Sequence, residues 1–286
     1  MPSLIDIRRR VRSVRNTQQI TKAMKMISAA RLRKAQERAL AARPYATMLR
    51  EMLANVAEAA SQSMDAGGHP LAAVRPEKKI LVMVVTADRG LAGGFNANLL
   101  KLAQRFVSEH ADVELSFELI GRKGRDYFRK RGGRVTGEYL DMMRSLDVAY
   151  ANKIADAVIE RFSSGEADAV YMFVNEFKSV MAATLSETRL LPLEVPKSQG
   201  TADYIYEQKP EELLGTLLPR YIRLQVYRAL LESVAAEHAA RMTAMDAASS
   251  NASDVIDNLT LHMNRVRQAS ITREIIEIVS GAAALD

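Results

Sequence analysis

The residues that could do chemistry are few and scattered. Residues 86–96, Thr-Ala-Asp-Arg-Gly-Leu-Ala-Gly-Gly-Phe-Asn, form a glycine-bearing stretch after a short apolar run and invite a nucleotide reading. Dinucleotide sites use G-x-G-x-x-G, so that backbone amides approach a pyrophosphate at a helix N-terminus. Gly90, Gly93 and Gly94 give G-x-x-G-G instead. That leaves a weak anion site or, more simply, a tight strand-to-helix turn needing positive φ. The run Gly121-Arg-Lys-Gly124 is too short for the phosphate loop G-x-x-x-x-G-K-[ST] and has no hydroxyl residue after a lysine. His69, His110, His238 and His262 show no zinc-ligand spacing, and no G-x-S-x-G elbow marks a nucleophile. Glu274 and Glu277, at i and i+3 on a helix, fit a solvated face or a partner contact better than acid–base catalysis. The chain has no cysteine, which excludes disulfides, thiolate metal sites and thiol regulation. No cofactor is expected.

Charge is the second signal. Of the net +6, residues 1–50 carry thirteen basic residues against Asp6 and Glu37, so this arm is +11 and the remainder −5. The arm could bind nucleic-acid phosphates, line an acidic protein surface, or be a solvated face. Against nucleic acid, it has no aromatic platform before Tyr45 and its basic residues surround the helix, with apolar residues interleaved. An Arg-rich start can also be a transit peptide, but the apolar period continues past residue 50 without a junction, which favours a bacterial cytoplasmic address. No apolar run reaches the 18 or so residues of a membrane span.

The elements that carry these residues fall into three blocks. Residues 3–63 predict a long first helix, with Ser3 as N-cap, Asp6 three residues on, and Pro44 kinking it without ending it. Ile7, Val11 and Val14 start an apolar stripe whose phase meets polar Gln18 and Thr21. The stripe then resumes about one residue earlier, at Ile20, Ala23 or Met24, Ile27 and Ala30, a phase slip that predicts a locally loosened coil or a surface met by something other than the partner helix. After a break at 66–70, apolar runs predict buried strands at 79–85 and 169–175, with a further strand at 114–120, helices at about 96–110, 123–130 and 146–162 and an edge strand at 182–190. From Glu211 a final helix runs to the end. In it, His238, Met242, Met245, Ser249, Ala252, Ile256, Leu259, Met263, Val266 and Ser270 keep a four-three alternation, the mark of a seam against another helix.

The expected fold class is α/β plus a long antiparallel coiled coil. The N- and C-terminal helices pair as a rod, with a Rossmann-like α/β domain inserted between them. The expected segments are 1–65 for the first helix, 77–195 for the α/β domain, 196–210 for a loop and 211–286 for the second helix. Periodicity and missing motifs together describe a non-catalytic rod with a globular domain; a coiled-coil nucleic-acid binder and an α/β nucleotide enzyme stay open as alternatives.

Three stretches resemble one family, the gamma subunit of the F-type ATP synthase. They are residues 7–36, beginning Ile7-Arg-Arg-Arg-Val and ending Lys34-Ala-Gln36; Asp88-Arg-Gly-Leu-Ala-Gly-Gly-Phe-Asn96; and residues 267–284, Arg-Gln-Ala-Ser-Ile-Thr-Arg-Glu-Ile-Ile-Glu-Ile-Val-Ser-Gly-Ala-Ala-Ala. The resemblance implies a rotor shaft inside a hexamer of alternating alpha and beta subunits. Its α/β domain would meet the epsilon subunit and the membrane c-ring, with one copy per complex, no cofactor and no nucleic acid. It implies that ATP chemistry belongs to the partners and that the chain is peripheral, at the cytoplasmic face of the bacterial inner membrane. Carried over by position, Met24, Lys25, Arg267, Gln268 and Thr272 are implied beta-subunit contacts, and Tyr204, Tyr206 and Glu207 implied c-ring contacts. The apolar stretch 281–285 would suit a smooth bearing. Ala92 stands where many relatives have cysteine, and the cysteine-bearing insert of chloroplast relatives is absent, so redox control of that type is not expected.

Overall fold

In the computed structural model, residues 3–61, 69–141, 146–179, 183–194 and 206–283 are described, with side chains to Ser280. Helix α1 spans Leu4–Ser61 and helix α5 Pro210–Ala283. Between them run β1 (Lys79–Val85), α2 (Phe95–Glu109), β2 (Glu114–Ile120), α3 (Arg122–Arg129), β3 (Arg134–Tyr139), α4 (Val148–Ser163), β4 (Ala169–Phe177) and β5 (Ala183–Leu191). The chain divides into two compact units, Met1–Ser28 with Met242–Asp286, and Ala29–Arg241.

The first unit is an antiparallel helix pair. Ser3 caps α1 as expected: its hydroxyl accepts the Asp6 N–H at 3.2 Å, and its own N–H donates to the Asp6 carboxylate at 3.3 Å. Ile7 and Val11 are buried and Val14 half-buried, and on α5 Met245, Ser249 and Ala252 are buried while Ile256, Leu259, Met263 and Val266 are half-buried. The predicted phase slip does not occur. Gln18, Thr21, Lys25 and Ser28 continue the original heptad toward the partner helix, whereas Ile20 and Ile27 are 60% and 53% exposed, with Ala23 and Ala30 also outside. The physical reason is that the polar seam residues find partners across the pair. Gln18 Nε2 donates to the Ser249 carbonyl at 3.3 Å, Thr21 and Ser249 share a hydroxyl hydrogen bond at 2.7 Å, and Lys25 Nζ meets Asp246 at 2.6 Å. A polar group so satisfied can occupy a seam that hydrophobicity alone would deny it. The seam also ends early: Arg267–Ser280, including the expected seam residue Ser270, are exposed throughout.

The second unit holds a five-stranded sheet of order β3-β2-β1-β4-β5, parallel except for the antiparallel edge strand β5. β1 is buried from Ile80 to Val85, as its continuous apolar run predicts. Ile80, Val82 and Val84 pack with Leu99, Ala103 and Phe106 of α2 and with Phe117, Phe128 and Phe173. Strand β3 is a feature that the sequence reading missed. It pairs with β2 through a bulge between Phe117 and Glu118, where a side chain on Gly137 would collide with the Glu118 carboxylate. Glu118 is fully buried, bonded by the Arg161 guanidinium of α4, which also donates to the Thr136 carbonyl at 3.0 Å. In α1, Leu32, Ala35, Ala46, Leu49, Leu53, Val56 and Ala60 are buried, and α5 buries Leu218, Ile222, Val226 and Leu230. Pro44 and Pro219 lie inside their helices without ending them.

Candidate functional site

The glycine-bearing loop lies where an open α/β sheet would bind a ligand, beyond the strand carboxyl ends at the point where the strand order reverses. Here that point falls between β1 and β4. The place is taken by the chain itself. Ala236 of α5 packs on Ala87, Ala92 and Phe95, with Phe177 and Ala240 beside them. Several of the loop's backbone groups are bonded within the chain: Ala87 N–H donates to Asn96 Oδ1 at 2.9 Å, and Arg241 of α5 donates to the Gly90 carbonyl at 3.3 Å. Positive φ occurs at Gly93, as the turn reading allowed, but also at Leu91 rather than at Gly90 or Gly94.

The second glycine pair serves close packing. Gly121 has φ 89°, and a Cβ there would sit 2.1 Å from the Thr86 carbonyl oxygen. Around the N-terminus of α3, Arg122 N–H donates to Asp88 at 3.1 Å, Lys123 N–H to the Ala87 carbonyl at 3.2 Å, and Gly124 N–H to the Thr86 hydroxyl at 2.8 Å. No amide there is left for an anion. Among the described residues no cluster of three or more His, Asp or Glu side chains could hold a metal, and no helix is long and apolar enough to cross a membrane.

Two titratable groups gather where α5 meets this loop: Glu237, which the sequence did not single out, and His238, expected only as a seam residue. Glu237 is buried against Arg241 at 2.7 Å; burial raises its pKa and Arg241 works against the rise. His238 is buried with Nδ1 unpartnered, and desolvation, helped by Arg241 and Arg31, lowers its pKa to about 4. Of this group, Arg241 bonds the loop directly, through the Gly90 carbonyl, and Glu237 pairs with it along the helix.

The contact candidates fall into separate groups. Met24 and Lys25 are half-buried on α1, and Lys25 already pairs with Asp246 within the chain. Arg267, Gln268 and Thr272 are exposed on α5, and the Thr272 hydroxyl donates back to the Gln268 carbonyl at 3.0 Å. The two groups are not brought together: Arg267 lies about 30 Å along α5 from Asp246 at 1.5 Å per residue. Around Thr272, Ile271, Ile275, Ile276, Ile278 and Val279 are all large, apolar and exposed. Tyr206, half-buried, and the exposed Glu207 precede α5. Tyr204, and the side chains of the 281–285 stretch, lie outside the described residues.

Comparison with known proteins agrees over the whole length. A family profile described as ATP synthase matches residues 3–285. The ATP synthase gamma chain of Solibacter usitatus (strain Ellin6076) is 58% identical over 286 residues, covering all of both chains. That of Pelotomaculum thermopropionicum is 50% identical over 291 residues, again covering all of both. The fold is similar to a chain of the Euglena gracilis mitochondrial ATP synthase (TM-score 0.69, 18% identity, 99% of this chain and 94% of that one). It is also similar to a chain from the central stalk and c-ring structure of the Tetrahymena thermophila mitochondrial enzyme (TM-score 0.64, 24% identity, 80% and 99%). This chain belongs to the ATP synthase gamma-chain family.

Proposed function

We propose that the chain is the central shaft of a bacterial F-type ATP synthase, non-catalytic itself, and that its rotation couples proton flow to ATP synthesis or hydrolysis on the beta subunits. One observation supports this most: the stretch Arg267–Ser280 of α5 is exposed throughout, although it carries four isoleucines and a valine. A helix end this apolar is suited to being enclosed by other subunits. In the shaft reading an alpha–beta hexamer encloses it, with Arg267, Gln268 and Thr272 touching a beta subunit. Met24 and Lys25 meet a second, acidic beta-subunit segment. Tyr204, Tyr206 and Glu207 meet the c-ring, and the sheet-bearing unit meets epsilon. The complex places the chain at the cytoplasmic face of the inner membrane as a peripheral, single-copy subunit.

The coupling is differential binding. A shaft with unlike sides stabilises a different conformation of each catalytic subunit at each angle, so turning it changes their nucleotide affinities in sequence. No nucleotide chemistry is asked of this chain. The test is a cysteine at Met24 or Gln268 cross-linked to a cysteine on beta in the assembled complex. ATP turnover should stop on oxidation and return on reduction. A complex that keeps full proton coupling without this chain would sink the proposal.

A further inference from the structure

Helix α5 packs on the loop beyond β1 through Ala236, and a gap remains elsewhere along the helix. Beside Phe177, the last residue of β4, a cavity of about 290 Å³ remains between α1, the end of β4 and α5. This is close to the lower end of the range for ligand pockets, about 300–1,000 Å³.

The lining has two characters. Ala39, Leu231, Ala235 and Phe177 supply apolar surface, with Leu231 and Ala235 fully buried and Leu40 exposed beside them. The charged lining is Arg43, Lys178 and Arg228 against one carboxylate, Glu232. Arg228 approaches Glu232 no closer than 3.7 Å, beyond hydrogen-bond range. Arg43 and Lys178 have no ion-pair partner among the described residues. Burial raises the pKa of Glu232, Arg228 and Arg43 oppose the rise, and Glu176, outside the lining, adds to it. Cations therefore outnumber carboxylates here, and a guanidinium with unspent donors beside apolar surface suits an incoming carboxylate or sulfonate.

We propose that this cavity binds a small organic anion, a carboxylate or sulfonate on a flat apolar body, with Arg228 and Arg43 taking the charge and Phe177 and Leu231 the apolar part. The site is independent of the contacts assigned to beta and the c-ring. Because three elements line it, an occupant ties α1, α5 and the end of β4 together and stabilises that unit by mass action.

The test is titration of the full chain with 2-naphthoate, followed by ligand-observed NMR and calorimetry, with neutral 2-naphthamide as the comparison. One saturable site is expected, with naphthamide at least about tenfold weaker, a difference of roughly 1.4 kcal/mol. Arg228→Gln should weaken naphthoate by a similar factor, as should Arg43→Gln. Arg43 is exposed, so its variant keeps the test decisive if the Arg228 variant folds poorly. Equal affinity for the acid and the amide, unchanged affinity in the folded arginine variants, or binding that does not saturate would each overturn the proposal.

Discussion

Thr21 and Ser249 face each other across the two helices of the first unit, hydroxyl oxygen to hydroxyl oxygen, at 2.7 Å. Each also has a carbonyl of its own helix within reach, Gln18 at 3.0 Å for Thr21 and Met245 at 2.8 Å for Ser249. Each hydroxyl has one hydrogen, so one donates across the pair while the other donates back. The layer is satisfied without an apolar side chain, and its geometry selects one register.

Thr21→Val alone should cost about 1 kcal/mol, the net worth of a buried hydrogen bond. Ser249→Ala added to it should cost less than Ser249→Ala alone, because the bond between the two hydroxyls is already gone and the Ser249 hydroxyl otherwise donates only to the Met245 carbonyl. Urea unfolding of the two single variants and the double variant should give a coupling energy of about 0.5–1 kcal/mol. Strict additivity would mean that the two hydroxyls act independently.

Lys25 separates a structural role from a functional one. Its pair with Asp246 is exposed at both ends, 43% and 61%. Breaking it with Lys25→Gln or Asp246→Asn should change chain stability by less than about 0.5 kcal/mol. In the reconstituted complex, Lys25→Gln should lower ATP turnover severalfold while Asp246→Asn leaves it near normal. Equal losses would place the role of Lys25 inside its own chain.

His238 makes the second unit sensitive to acid. Its folded pKa, about 4, lies below the ordinary 6.5, so the unfolded chain binds the proton more readily between those values. Its contribution is therefore full above about pH 6.5 and is lost as the pH falls toward 4. The groups facing it are Arg31 from α1 and Arg241 from α5, while its neighbour Glu237, with a raised pKa, acts in the opposite sense. The stability difference between the parent and His238→Leu should thus shift by about 2–3 kcal/mol between pH 7 and pH 4, after allowance for screening. A difference that stays flat with pH would show that His238 keeps its proton equilibrium on folding.

Removing residues 268–286 should leave the folded chain almost untouched. Every residue from Arg267 to Ser280 is exposed, so little burial is lost, and the melting temperature should move by less than about 2 °C. Coupled ATP synthesis by the reconstituted complex should fall markedly. Unchanged synthesis would remove the contact role proposed for Gln268 and Thr272.

Much of this was legible in the residues themselves. A continuous apolar run places β1 at its observed limits, because a strand buried on both faces needs no partner information to be seen, and the limits expected for β2 were also met. The heptad on α5 was equally plain. What stayed hidden depends on distant residues. Arg134–Tyr139 carries an arginine, a glycine and a glutamate, and its bulge breaks the period of two. Gly137 is needed only because Glu118 is buried beside it, and Glu118 is tolerated only because Arg161, in a later helix, reaches it. The phase slip failed for the same reason: Gln18 and Thr21 look unfit for a seam until Ser249 is known to oppose them. The contact residues rested on the family resemblance alone, since exposed side chains awaiting a partner leave no period or motif.

The unequal reach of the two terminal helices has a mechanical consequence. Val266 is the last half-buried residue of α5, and beyond it the helix continues alone to Ala283, about 25 Å at 1.5 Å per residue. A laterally bonded pair resists bending more than one strand of the same material. Loaded sideways, the two sections behave as springs in series, and the slender one takes the larger deflection. Elastic energy from a push there is stored in the single helix beyond Val266 before the paired section yields.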